Sequence, residues 1–256
     1  SDVYKRQLQL CIRDWTIKTV MRMLYKSSTK TNKIIISLVF AWLTLWLANA
    51  IQDITIWLTG TSAKIWVLDL DFEESFYTWF STVMLSAAAF ICFFLSLKDH
   101  GQTKNVKTQW RILGSLFFLL SADEMLSFHE RVSGMLSTSF STSGMFEFAW
   151  VIPALIIIPI FFFLFFPFIR HLHTHVSYTI IIAGSIFVFG AVGMEMIAGI
   201  FISENSSQDD VFTSPIYRFL VNIEEGLEVL GVIIFIKALL MQAEIYFPEI
   251  QKGKEP

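Results

Sequence analysis

Charge is scarce in this sequence. Asp, Glu, Lys and Arg together make up 16% of the 256 residues, against 54% hydrophobic ones, and the net charge is only −3. A chain so poor in charge cannot give an ordinary soluble domain its polar surface, and it has no excess of basic residues to attract nucleic acid. No nucleic-acid partner is expected. Cysteine is scarcer still, with only Cys11 and Cys92. One lies in a basic N-terminal stretch and the other in an apolar run, so no disulfide is expected between them, and no zinc-finger spacing exists.

The usual catalytic signatures are also missing. His129 and Glu130 are followed by Arg131, Val132 and Ser133, so there is no H-E-x-x-H helix. No E-x-x-H supports a di-iron bundle, and no G-x-S-x-G supplies a nucleophile elbow.

Long apolar runs are what the chain does have. Six of them, near residues 34–58, 77–97, 110–130, 148–169, 178–202 and 216–242, approach or exceed the roughly 18 residues that suggest a spanning helix. The expected fold is all-α: a polytopic membrane bundle of six transmembrane helices. Residues 1–33 form a basic cytoplasmic segment, 34–242 the bundle and 243–256 a cytoplasmic tail. Residues 1–7 read as an artefact of translation and are set aside.

Basic residues alternate between the loops. Eight fall in residues 1–33, four in 98–111, Arg170 in the next loop on that side, and Lys252 and Lys254 in the tail. The opposite side holds Lys64, Arg131 and Arg218. The positive-inside rule then places both termini in the cytoplasm. Run four, with FFFLFFPF at 161–168, has no charged residue in its body. It is expected at the bundle edge, facing lipid, away from any site, and kinked at Pro153 or Pro159.

Against this background the acids stand out. Residues 115–131 read SLFFLLSADEMLSFHER, which puts Asp123, Glu124, His129 and Glu130 at the far end of run three. Run five carries Glu195, and run six carries Glu224, Glu225 and Glu228. At about 1.5 Å per residue these groups reach similar depth in the outer half of their helices. A carboxylate facing lipid costs about 2.5–3.5 kcal/mol at a helix centre, so the acids must be buried against partners, protonated or bound to a cation. Small residues Gly184, Ala191 and Ala198 share a helical face with Glu195, as at a helix contact. Glu224 and Glu228, four apart, lie on one face. Asp123 and Glu130, seven apart, are expected to share a face of one continuous helix. If the acids serve only to clamp helices together, Arg218 can pair with Glu225. The acidic outer loops read as solvated.

The segment LSADEMLSFHERV resembles the L-S-x-D-E…H-E segment of a widespread family of bacterial polytopic membrane proteins. LDLDFEESFYTWFS before run two and IEEGLEVLG in run six are similar to the same family. The resemblance implies a fold and a bacterial inner-membrane location. It brings no activity, so no catalytic residue is carried over from it.

Three functions fit. In the first, Asp123, Glu124, Glu195, Glu224, Glu225 and Glu228 bind protons or a small cation, with His129 and Glu130 at the rim, and couple this to transport. In the second, a metalloenzyme opens to the periplasm, and Asp123, Glu124, His129, Glu195, Glu224 and Glu228 hold a divalent ion such as Zn, Mn or Fe as cofactor. In the third, the acids only clamp helices together in a membrane subunit. The expected partners are the lipid bilayer, a small cation or proton, and further copies of the chain in a homo-oligomer.

Overall fold

The structure, a computed structural model, describes residues 28–60, 64–98, 104–205 and 211–248. Cys11 and the basic residues before position 28 lie outside the described residues, as do Lys252 and Lys254. The described residues are helical throughout, joined by turns and short loops. We number the helices α1 (Thr29–Thr59), α2 (Phe76–Leu95), α3 (Lys104–Leu126), α4 (Phe128–Phe140), α5 (Val151–His171), α6 (Thr174–Glu204) and α7 (Pro215–Tyr246). Five of these are long and apolar enough to cross a membrane. The sixth expected span is a bent pair, α3 with α4 at 72°.

Local chemistry sets the helix ends. Ser28, Ser75 and Ser214 each turn a hydroxyl back onto the backbone N–H three residues on, at 3.3, 3.1 and 3.2 Å. This satisfies a donor that the first turn cannot pair internally. Pro215 follows its cap at the first helical position, where its missing N–H costs nothing. Gly60 closes α1 with φ +67°, a left-handed cap that favours glycine.

The helices alternate in direction. At one end, Thr31 at the start of α1 donates to Glu244 near the end of α7 at 2.5 Å, and Trp110 of α3 packs edge-on against Phe168 of α5. At the other, Asp53 of α1 meets Arg218 of α7, and Trp150 before α5 meets Glu195 of α6. Both ends of the described chain therefore lie at the same end of the bundle. α7 is the most enclosed helix and packs against α1, α2 and α6, whereas α1 is the least enclosed. Phe117 of α3 stacks on Phe235 of α7, with centroids 4.4 Å apart, so these two helices meet through large side chains.

The main departure from expectation is at Ser127. Run three does not continue to residue 130. Ser127 adopts φ 48°, ψ 47°, which ends α3, and α4 leaves across the bundle end. The stretch expected to be loop, 131–147, is thus helical as far as Phe140. Phe128, Val132, Met135 and Phe140 carry its apolar side chains into the surroundings. α6 also departs from ideality through a π-helical turn at Phe189–Met194. A π turn takes in an extra residue, which breaks the face expected to run from Gly184 to Ala198. A Cβ at Gly184 would meet nothing within 4 Å. The close approaches to α7 fall at Gly190, whose added Cβ would lie 3.0 Å from the Leu227 Cβ, and at Gly231, 2.8 Å from the Phe187 Cβ. α5 presents most of its length outward, with Phe163 74% exposed. Pro153 falls in its first turn, where it breaks no helical hydrogen bond, and Pro159 and Pro167 lie inside.

Candidate functional site

The break at Ser127 creates the site's outer wall. Ser127 makes no side-chain cap for α4. Asp123, one turn back on α3, does this instead, accepting the His129 backbone N–H at 2.9 Å. Its second oxygen accepts from the His129 ring Nδ1 at 2.8 Å. A carboxylate here also complements the positive end of α4. The Ser127 hydroxyl donates to Glu73 from the loop before α2, so one acid on each side holds the hinge.

Behind this wall lies a cavity of about 110 Å³. Glu124 enters from α3, His129 and Glu130 from α4, Glu195 from α6, and Glu224 and Glu225 from α7. Asp71 and Glu73 come from the loop before α2, and Tyr217 and Phe148 also line it. Glu195 is buried, and the Trp150 indole N–H donates to it. The Trp150 ring lies 5.3 Å from that of His129. The Glu124 carboxylate is hydrogen-bonded to Ser81. At the edge of the cleft, lost hydration pushes the Asp71 carboxyl from 3.8 up to about 6; Asp69 beside it adds to the rise and Lys64 opposes it.

Four of the six acids expected in the cluster, Glu124, Glu195, Glu224 and Glu225, line this cavity together with both rim residues. Asp123 does not line it, because its two oxygens are committed to His129. Glu228 lies deeper, one turn beyond Glu224, with its Cγ against the Gly190 backbone. Asp123 and Glu130 no longer share a helical face, since the break separates them. Among the described residues no group of three or more His, Cys, Asp or Glu is arranged to hold a metal ion. The set Asp123, Glu124, His129, Glu195, Glu224 and Glu228 is divided between the cap, the cavity and the position below it.

Arg218 does not take the partner that the clamp reading offered it. It turns away from Glu225 and joins Asp53 at 3.2 Å, and Lys64 reaches the same oxygen at 3.3 Å. The other Asp53 oxygen accepts from Asn49 at 2.8 Å and Asn222 at 2.9 Å. This network ties α1 to α7 and holds both cations outside the cavity lining, where Asp71 at the edge still feels their charge.

Asp71, Glu73 and Tyr217 were not singled out from the sequence, and run four, expected to keep away from any site, brings Phe148 and Trp150 from its first residues into this one. Asp71 and Glu73 of LDLDFEES stay exposed, as expected of a solvated loop, but the chain also folds back over the cleft and brings them to its edge. Their one signal was that this stretch is among those carrying the family resemblance.

A family model described as Domain of unknown function (DUF8692) matches residues 33–243. The chain belongs to this family. The matched segment contains every residue that lines the cavity, together with the Asp53 network. No curated protein matches the chain, and no solved structure does.

Proposed function

We propose that this is an integral membrane protein whose carboxylate cavity takes up and releases protons or a small cation, as the site of proton- or cation-coupled transport. The observation that carries this reading is the make-up of the cavity. Seven carboxyl groups, Asp71, Glu73, Glu124, Glu130, Glu195, Glu224 and Glu225, share it with one basic side chain, His129. So many acids cannot all be ionised in so small a space without a counter-charge. They answer by binding protons or by admitting a cation. The alternation of basic residues supports a six-span topology in the bacterial inner membrane, with both termini cytoplasmic and the cavity opening to the periplasm. Residues 1–33 and 243–256 then flank the bundle of 34–242 on the cytoplasmic face.

Helix clamping is served by a separate cluster, since Asp53, Arg218, Lys64, Asn49 and Asn222 satisfy one another. A metal-centred enzyme has no donor grouping among the described residues to support it. The test is uptake by purified protein in liposomes containing a pH-sensitive dye, with and without an imposed sodium or potassium gradient. Wild-type vesicles should acidify or alkalinise faster than empty ones, and Glu224→Gln with Glu225→Gln should abolish the difference. Equal rates for wild-type and empty vesicles under every gradient would overturn the reading.

A further inference from the structure

A second cavity lies outside the acid cluster, on the surface between α4 and the start of α5. It is open and large, about 520 Å³. Leu136 and Phe140 of α4 form one wall, and Ile152 and Ile156 of α5 the other. At one end the chain between the two helices supplies Thr142 and Ser143. The Thr142 hydroxyl oxygen is buried with no hydrogen-bond partner. A buried hydroxyl without a partner loses its water and gains nothing in return, and rotation about the Thr142 Cα–Cβ bond would turn it to an acceptor brought into the groove by a ligand.

The geometry points to a bound membrane lipid: an acyl chain in the groove, with an ester or phosphate oxygen accepting from Thr142. The occupant is read from the groove's surroundings. Its α5 wall continues directly into the helix's exposed apolar stripe, with Ile156 60%, Ile157 63% and Phe163 74% exposed. That stripe faces the hydrocarbon if α5 spans the membrane. On the other side α4 turns off α3 by 72° and exposes Val132, Met135 and Phe140. This is the attitude of a helix lying in the interface with its apolar face towards the acyl region. An apolar trough that opens on the lipid side and ends on hydroxyls matches a lipid's own order of tail and ester. The inference rests on the membrane reading.

The test is native mass spectrometry of protein purified in a mild detergent, with phospholipid then added back. Wild type should carry a phospholipid adduct that survives detergent exchange. Ile152→Trp fills the groove and should abolish the adduct. Thr142→Val keeps the shape, removes the hydroxyl and should weaken retention roughly fivefold, the effect of one lost hydrogen bond. An adduct of detergent or free fatty acid alone, or a lipid adduct that neither variant changes, overturns the proposal and leaves the membrane reading standing. Extraction from membranes by alkaline carbonate without detergent would overturn both. A dimer that Ile152→Trp dissociates, without any lipid adduct, would assign the groove to a second copy and also overturn the lipid site.

Discussion

Asp53 and Asp71 show how differently one residue type behaves at the same end of the bundle. Asp53 is matched on both oxygens, by Arg218 and Lys64 on one and by Asn49 and Asn222 on the other. Asp53→Ala would leave a cation and two amides short of their acceptor with little water to replace it. A loss of about 3 kcal/mol is expected, at the lower end for a broken buried pair. Chemical denaturation in detergent should read it, and a change within error of zero would show the network to be incidental. Asp71 has no such match: lost hydration, with Asp69 beside it, pushes its carboxyl from 3.8 up to about 6 against the pull of Lys64. The folded protein therefore holds this proton more tightly than the unfolded chain. The resulting stability is fully present below pH 3.8 and is lost as the pH rises through about 6. Asp71→Asn should flatten that fall. The slope is small, because Asp71 is exposed by area and solvent screens it. Thermal melts across this pH window should show the variant's Tm changing less than the wild type's.

At the scale of elements, two serines frame α4 in the left-handed region, Ser127 at φ 48° and Ser141 at φ 46°. An L-residue pays roughly 1 kcal/mol for that conformation, and glycine does not. Ser141→Gly should raise stability by about that much, since Ser141 closes α4 at a position that favours glycine. Ser127→Gly should gain less, because it also loses the hydroxyl's bond to Glu73. Equal gains in Tm would show that the Glu73 bond contributes nothing to the hinge. The α6–α7 contact depends on Gly231, where an added Cβ would stand 2.8 Å from both the Phe187 Cβ and its backbone nitrogen. Gly231→Ala must push the helices apart and should cost about 1–3 kcal/mol. A variant as stable as wild type would mean that α6 and α7 slide easily, and that the depth of Glu195 relative to Glu224 is not fixed.

Over the whole molecule, the start of α1 and the end of α7 share one end, and the acid cavity occupies the other. On the topology proposed from the alternation of basic residues, a C-terminal reporter after Pro256 should be active only in the cytoplasm. Activity in the periplasm would reverse the side on which the cavity opens. α5 runs along the edge, although Phe165 and Phe168 pack into the core. Phe163→Leu on its outer face should leave stability and uptake nearly unchanged, because that ring is largely exposed and loses little contact with protein. A large loss of uptake would show that the lipid-facing stripe is part of the transport path.

The sequence by itself determined the class of molecule: all-helical, with five or six helices fit to span a membrane. Apolar run length is a local property, and a helix satisfies its backbone within a single segment. Acids at matched depth could also be read, since rise per residue is fixed along a helix. What only the tertiary structure decided was partnership. Arg218 is four residues from Asn222 and seven from Glu225 on its own helix, yet Asp53, 165 residues away, takes it. Asp71 and Glu73 became cavity residues because the loop before α2 folds back over the bundle end. Ser127 ended α3 although the run was expected to continue to residue 130. The left-handed turn there is held by Asp123 capping forwards and Glu73 reaching from another segment. None of these contacts leaves a periodic trace, because each joins positions whose spacing in the chain is unrelated to their distance in space.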